Sequence, residues 1–198
     1  MHCETVLESP EEKLKRAQDS LTEGYFENAI EAFSECLLLD EREEKAYQGR
    51  ALANFQIKNW HQAISDFRKA KELDPEEPEN WVGLGMSLAM VNQIYDAIDV
   101  FDELLKKYPN FVRGHIQLGS LYYRLGVIKK GHEHMDLALA SRPSLQERRT
   151  IEQFQKEQKL LDKKRSHRPD FEGLRRQNKL PGGILKKFFD DLKKLFKK

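Results

Sequence analysis

Small and large apolar residues recur along the chain with a step of 34. Ala29, Ala63, Ala97 and Gly131 form one such series, all of them small. Four residues on, Phe33, Phe67, Phe101 and Met135 are all large and apolar. A third series holds Cys36, Ala70, Leu104 and Ala138, and a fourth Glu41, Pro75, Pro109 and Pro143. Two partial series pair Tyr47 with Trp81, and Ala17 and Ala51 with Gly85 and Gly119. Residues three or four apart fall on one helical face, where a small side chain admits a neighbouring backbone and a large one fills the space beyond. The closing proline pushes the residue before it out of the helical region. Each unit is also broken midway, at Glu23-Gly24, Lys58-Asn59, Val91-Asn92 and Leu125-Gly126. The pattern predicts four helix–turn–helix units, with helix pairs at about 11–23/27–40, 43–57/60–73, 78–91/94–107 and 111–125/128–140.

The period, together with Trp81-x-x-Leu84-Gly85, Ala97-x-x-x-Phe101 and Pro109, resembles the tetratricopeptide repeat. The resemblance covers roughly residues 10–143 and implies four repeats at about 10–43, 44–77, 78–111 and 112–143. It implies an all-α fold, a right-handed superhelical solenoid whose concave face is built mainly from the first helix of each unit. Lys13 and Arg16 stand where this family usually has an aromatic and a leucine, so the first unit reads as a degenerate cap. Each unit of such a stack buries its apolar face only against its neighbours.

Carried over by position, the family's concave face takes Glu11, Leu14, Gln18, Leu21 and Thr22 from the first unit, and Lys45, Gln48, Leu52, Phe55 and Gln56 from the second. The third offers Glu79, Val82, Met86, Ala89 and Met90, and the fourth Arg113, Ile116, Ser120, Tyr123 and Arg124. Some relatives clamp a chaperone's terminal carboxylate with Lys, Asn, Asn, Lys and Arg. Leu14, Gln18, Gly49, Glu79 and Gly83 stand in those places here, so that mode is rejected. The resemblance instead implies a partner-binding groove at Leu14, Gln18, Gln48, Leu52, Phe55, Val82, Met86, Met90, Ile116 and Tyr123. Methionine suits adaptable surfaces, and the stripe suits an apolar peptide or an amphipathic helix. Packing between helices is the competing account of the same residues.

Charge divides the chain in two. Residues 144–198 hold 17 Lys/Arg and 8 Asp/Glu, a net of +9, whereas 1–143 hold 34−17 = 17 basic and 33−8 = 25 acidic residues, a net of −8. A basic extension on an acidic body points to an anionic partner. Ser144 and Glu147 form a capping box opening a helix over 144–165, with Ile151, Phe154 and Leu161 turned to the last unit. Pro169, Gly173, Pro181, Gly182 and Gly183 mark 166–183 as a linker, and residues 1–9 read as an N-terminal tail. In 184–198, Ile184, Leu185, Phe188, Phe189, Leu192, Leu195 and Phe196 fall within an arc of roughly 140° on a helical wheel. Six lysines against Asp190 and Asp191 leave that segment at 6−2 = +4.

Apolar residues are 39% of the chain, enough for a core, and no run reaches the 18 or so that span a bilayer. The N-terminus lacks the basic start and apolar run of a secretory signal, and Cys3 and Cys36 form no metal or disulfide pattern. Gly-rich phosphate loops, GxSxG and HExxH are missing, and His132 and His134, two apart, point away from each other on a helix. No cofactor and no metal is expected. The expectation is a non-enzymatic protein-interaction adaptor, cytoplasmic, binding a protein partner in its groove and peripherally attached to an anionic membrane through 184–198. A second reading docks that helix in the chain's own groove or another copy's, as self-regulation. Nucleic-acid binding through the basic 148–179 stretch ranks third, and oligomeric state is left open.

Overall fold

The computed structural model describes residues 8–166, all of whose regular elements are helical. They are α1 (Pro10–Thr22), α2 (Phe26–Leu39), α3 (Glu44–Gln56), α4 (Trp60–Leu73), α5 (Pro78–Met90), α6 (Ile94–Lys107), α7 (Val112–Arg124), α8 (Ile128–Ala140) and α9 (Leu145–Ser166). Each of the eight paired helices begins and ends within one residue of its expected bounds. Residues 8–155 belong to one compact unit, and α9 continues beyond it into a second. The helix expected over 184–198 and most of the linker before it lie outside the described residues.

The turn inside each pair is the same device four times over. Gly24, Lys58, Asn92 and Gly126, again 34 apart, all take a positive φ of 65–85°. A left-handed residue just past a helix lets the next N–H reach back to the carbonyl five residues earlier. Tyr25, Asn59, Gln93 and Val127 make that bond, to Ser20, Asn54, Leu88 and Tyr122 carbonyls at 2.8–2.9 Å. The same four residues then open the second helix, their carbonyls accepting from Ala29, Ala63, Ala97 and Gly131.

Helices α1 to α8 pack successively in chain order, and α1 also touches α3, α3 touches α5, and α5 touches α7. These four first helices therefore line the inner side of the stack. The large residue of each unit takes the space left by a glycine, but not always in the same direction. A Cβ on Gly49 would lie 2.2 Å from the Phe33 ring, and one on Gly83 2.3 Å from Phe67. The equivalent place in the next unit holds Gln117, and Phe101 lies at Gly85 of the preceding helix, 2.6 Å from a Cβ built there. Met135 likewise lies at Gly119.

At the first end, Ser9 and Glu12 form a reciprocal cap on α1. At the other, Ser144 and Glu147 do the same for α9. Ile151 is fully buried with Met135, Ala138 and Ile116, and Phe154 packs on that cluster. Leu161, expected on the same face, is exposed. On that face Gln158 stands between Phe154 and Leu161, so the continuous apolar strip ends at Phe154. No helix among the described residues is long and apolar enough to cross a membrane.

Candidate functional site

Between α3 and α5 lies a mostly apolar pocket of about 330 Å³, lined by Leu52, Phe55, Phe67, Val82, Gly83 and Met86, with Gln48, Gln56, Glu79 and Arg113 as its polar members. Gly83 makes it possible: with no side chain there, the Phe67 ring fills the place of the missing Cβ and faces the pocket. Phe55 is held edge-on against Trp60, ring centres 4.8 Å apart. Leu52 stays 40% exposed and Val82 only 1%, so Leu52 forms a wall and Val82 part of the floor.

The polar members are tied to the scaffold. Gln48 donates to Asn80 Oδ1 at 3.0 Å, and Asn80 in turn donates to Glu44 at 2.6 Å. Burial pushes the Glu44 carboxyl up, against the lowering effect of that bond. Glu79 and Arg113 form an ion pair joining α5 to α7, both about half exposed. Deeper in the stack, Arg50 grips buried Asp66 with two bonds of 2.9 and 2.8 Å and reaches Ser34 at 3.1 Å, tying α2, α3 and α4 together.

Of the ten residues expected to form one groove, Gln48, Leu52, Phe55, Val82 and Met86 meet at this pocket. The others do not. Ile116 and Tyr123 are 5% and 8% exposed and belong to the cluster under α9. Leu14 packs on the core of the first unit, and Gln18 is exposed. Met90 is 52% exposed and lies outside the pocket lining. The stripe is interrupted because inner-face positions of the fourth unit are drawn into the core: Gly131 leaves no side chain opposite Tyr123, whose ring occupies the place of its Cβ.

Two further depressions are lined mainly by charged and polar residues. One of about 180 Å³ is lined by Arg16, Ser20, Asn28, Glu31, Ala32 and Glu35. Its Arg16 already pairs with Glu35 at 2.9 Å and Glu8 at 3.4 Å. The other, about 310 Å³, lies at Glu41, Arg42, Tyr47, Lys69, Glu72 and Leu73.

The histidines behave differently from their sequence spacing. His132 and His134 do part company, yet each finds a partner on α7. His134 Nδ1 is 3.2 Å from His115 Nδ1, and His132 Nδ1 is 2.9 Å from the Tyr123 hydroxyl. The missing signal was the register of Trp81, which continues to His115. Trp81 Nε1–H donates to Pro75 O at 3.1 Å, and His115 Nε2 lies 2.8 Å from Pro109 O. A carbonyl only accepts, so His115 Nε2 carries the proton; with both rings neutral, His134 donates to His115 Nδ1. Burial, followed by neighbouring His115, pulls His134 below the ordinary histidine pKa. Among the described residues no group of three or more His, Cys, Asp or Glu is placed to hold a metal ion.

Models of the tetratricopeptide repeat match residues 44–77 and 79–110. Tetratricopeptide repeat protein 28 of Mus musculus is 28% identical over 98 residues, 50% of this chain and 4% of that protein. The peroxisomal targeting signal receptor of Candida albicans is 33% identical over 72 residues, 36% of this chain and 12% of the receptor. The chain thus spans a small fraction of the curated relatives it matches. Among solved structures, MamA from Desulfovibrio magneticus RS-1 superposes with a TM-score of 0.65 at 18% identity, covering 86% of this chain and 97% of that one, a likeness of fold.

Proposed function

From the premise that the chain is a tetratricopeptide repeat protein, a class that mediates protein–protein interaction, we propose that it is a non-enzymatic adaptor. The pocket between α3 and α5 is its partner-binding site, taking apolar side chains of a peptide or helix. The observation that carries this is the apolar pocket, whose wall residue Leu52 stays exposed on the inner side of the stack. An exposed apolar concavity with a few fixed polar groups is the ordinary form of a binding site. The receptor relative, named for a targeting signal that it recognises, supports the same class of activity.

Residues 184–198 supply the second half of the reading: peripheral attachment to the cytoplasmic face of an anionic membrane. Seven apolar residues in one arc and six lysines support it, each lysine contributing about 1 kcal/mol near an anionic surface. Co-sedimentation with anionic vesicles tests it. The full chain pellets and a 1–183 truncation stays in solution; equal pelleting of the two sinks the attachment and leaves the pocket untouched. For the pocket, affinity capture of partners by the full chain is compared with capture by Met86→Glu, which loses those the pocket holds.

A further inference from the structure

We infer that the pocket's occupant is an extended, uncharged peptide segment presenting one large apolar side chain, and not an amphipathic helix. The inference rests on the pocket being a partner site and narrows the class of partner.

Size is the first argument. A dry apolar cavity of about 150 Å³ binds benzene. The pocket here is about 330 Å³, room for one ring or branched side chain with its stem. A helix lying in a groove docks anchors at i, i+4 and i+7, spread over about 10 Å of its axis. It needs a continuous apolar strip, and the strip is broken on both sides. Towards the fourth unit Ile116 and Tyr123 are buried in the cluster under α9, and towards the first Leu14 packs half-buried on its own unit's core beside exposed Gln18, none of them lining the pocket.

The rim is the second argument. Gln48, Gln56, Glu79 and Arg113 surround an apolar floor with hydrogen-bonding groups. A helix has satisfied its own backbone and offers them nothing but side chains. An extended segment brings unpaired N–H and C=O groups on both sides of its anchor, which amides, a carboxylate and a guanidinium can bond. Charge is the third argument. Glu79 and Arg113 neutralise each other, so the pocket has no net charge with which to favour the lysine-rich 184–198 segment or an acidic one.

Methionine methyls report on the site: Met86 lines it, Met90 lies outside it and Met135 is buried in the core. The full chain, labelled at methionine methyls, is titrated by NMR with capped Gly-Ser-X-Ser-Gly peptides in which X is Phe, Leu or Ser. A separate titration uses a synthetic peptide of residues 184–198. The Phe and Leu peptides are expected to move Met86 saturably and leave Met135 in place. The Ser peptide binds at least about tenfold more weakly, for want of the buried side chain. A tenfold rise in salt changes the Phe affinity less than about twofold, because no net charge is recruited. Leu52→Glu abolishes the response, and Met90→Glu keeps it. If the 184–198 peptide saturates Met86 while the short peptides leave it unmoved, the site stands and the extended occupant is wrong. If neither moves Met86, the partner site itself is wrong and the inference falls with it.

Discussion

Single residues at repeat-equivalent places carry unequal strain. Gly24 and Gly126 adopt the left-handed conformation freely, and Asn92 tolerates it. Lys58 does so at φ 65°, where an ordinary side chain crowds the following carbonyl at a cost of about 1–2 kcal/mol. Lys58→Gly is therefore expected to stabilise the chain by about 0.5–1 kcal/mol, while Gly126→Ala destabilises it by about 1 kcal/mol. Urea denaturation of both variants checks the opposite signs. The histidine pair gives a residue-scale effect of pH. His134 faces His115 on α7, Asp102 on α6, and Glu133 and Lys130 on its own helix, and its ring stacks on Tyr122. Its folded pKa is depressed, so the folded state prefers the neutral ring. The stability this contributes is present above the unfolded value of about 6.5 and is lost as pH falls from there through the folded value. The melting temperature should drop between pH 7.5 and 5 more steeply for the wild type than for His134→Gln; equal slopes would remove the pair from the account.

Among the elements, the tie between α2, α3 and α4 is electrostatic where its neighbours are apolar. Asp66 is 2% exposed and gives both carboxylate oxygens to Arg50. Asp66→Ala leaves a largely buried guanidinium unpaired and should destabilise the chain by about 3 kcal/mol, read by denaturant unfolding. Helix α9 is tied to the last repeat by Ile151. Ile151→Ala removes a fully buried side chain from the cluster with Met135 and Ala138 and should cost about 2–4 kcal/mol. A thermal melt checks it, and a change within about 0.5 kcal/mol would show that the end of the stack does not depend on its cap. The boundaries of these helices were legible in the chain because each is bracketed by a repeated signal: the small–large pair, the midway break, the closing proline. The direction taken by Phe101 was not. Phe101 rests at Gly85 on the preceding helix, whereas Phe33 and Phe67 rest at Gly49 and Gly83 on the following one, and which helix a ring meets becomes visible only when the helices are set side by side.

For the whole molecule, the near-zero net charge of +1 conceals a division of labour between an acidic repeat body and a basic extension. The proposed activities divide in the same way, a partner pocket in the body and membrane attachment at the far end. They are separable by design: Leu52→Glu should leave vesicle binding unchanged, and the 1–183 truncation should leave peptide titration of Met86 unchanged. Coupled losses in both assays would show that the tail and the pocket work as one site.

The sequence by itself determined the period, the eight paired helices, the turns between them and the solenoid, since each of these follows from local spacing repeated in phase. It also marked Gln48, Leu52, Phe55, Val82 and Met86. Tertiary structure alone decided which inner-face residues remain available to a partner. Ile116 and Tyr123 occupy the same helical positions as Val82 and Ala89, and all four are buried; yet Val82 floors the pocket while Ile116 and Tyr123 join the cluster that Ile151 completes, and nothing along the chain says so. Burial is a property of what stands opposite a side chain, and for these residues the opposing surfaces lie on another helix. The pairing of His115 with His134 has the same origin: nineteen residues apart in sequence, the two rings meet because α7 and α8 fold back on each other.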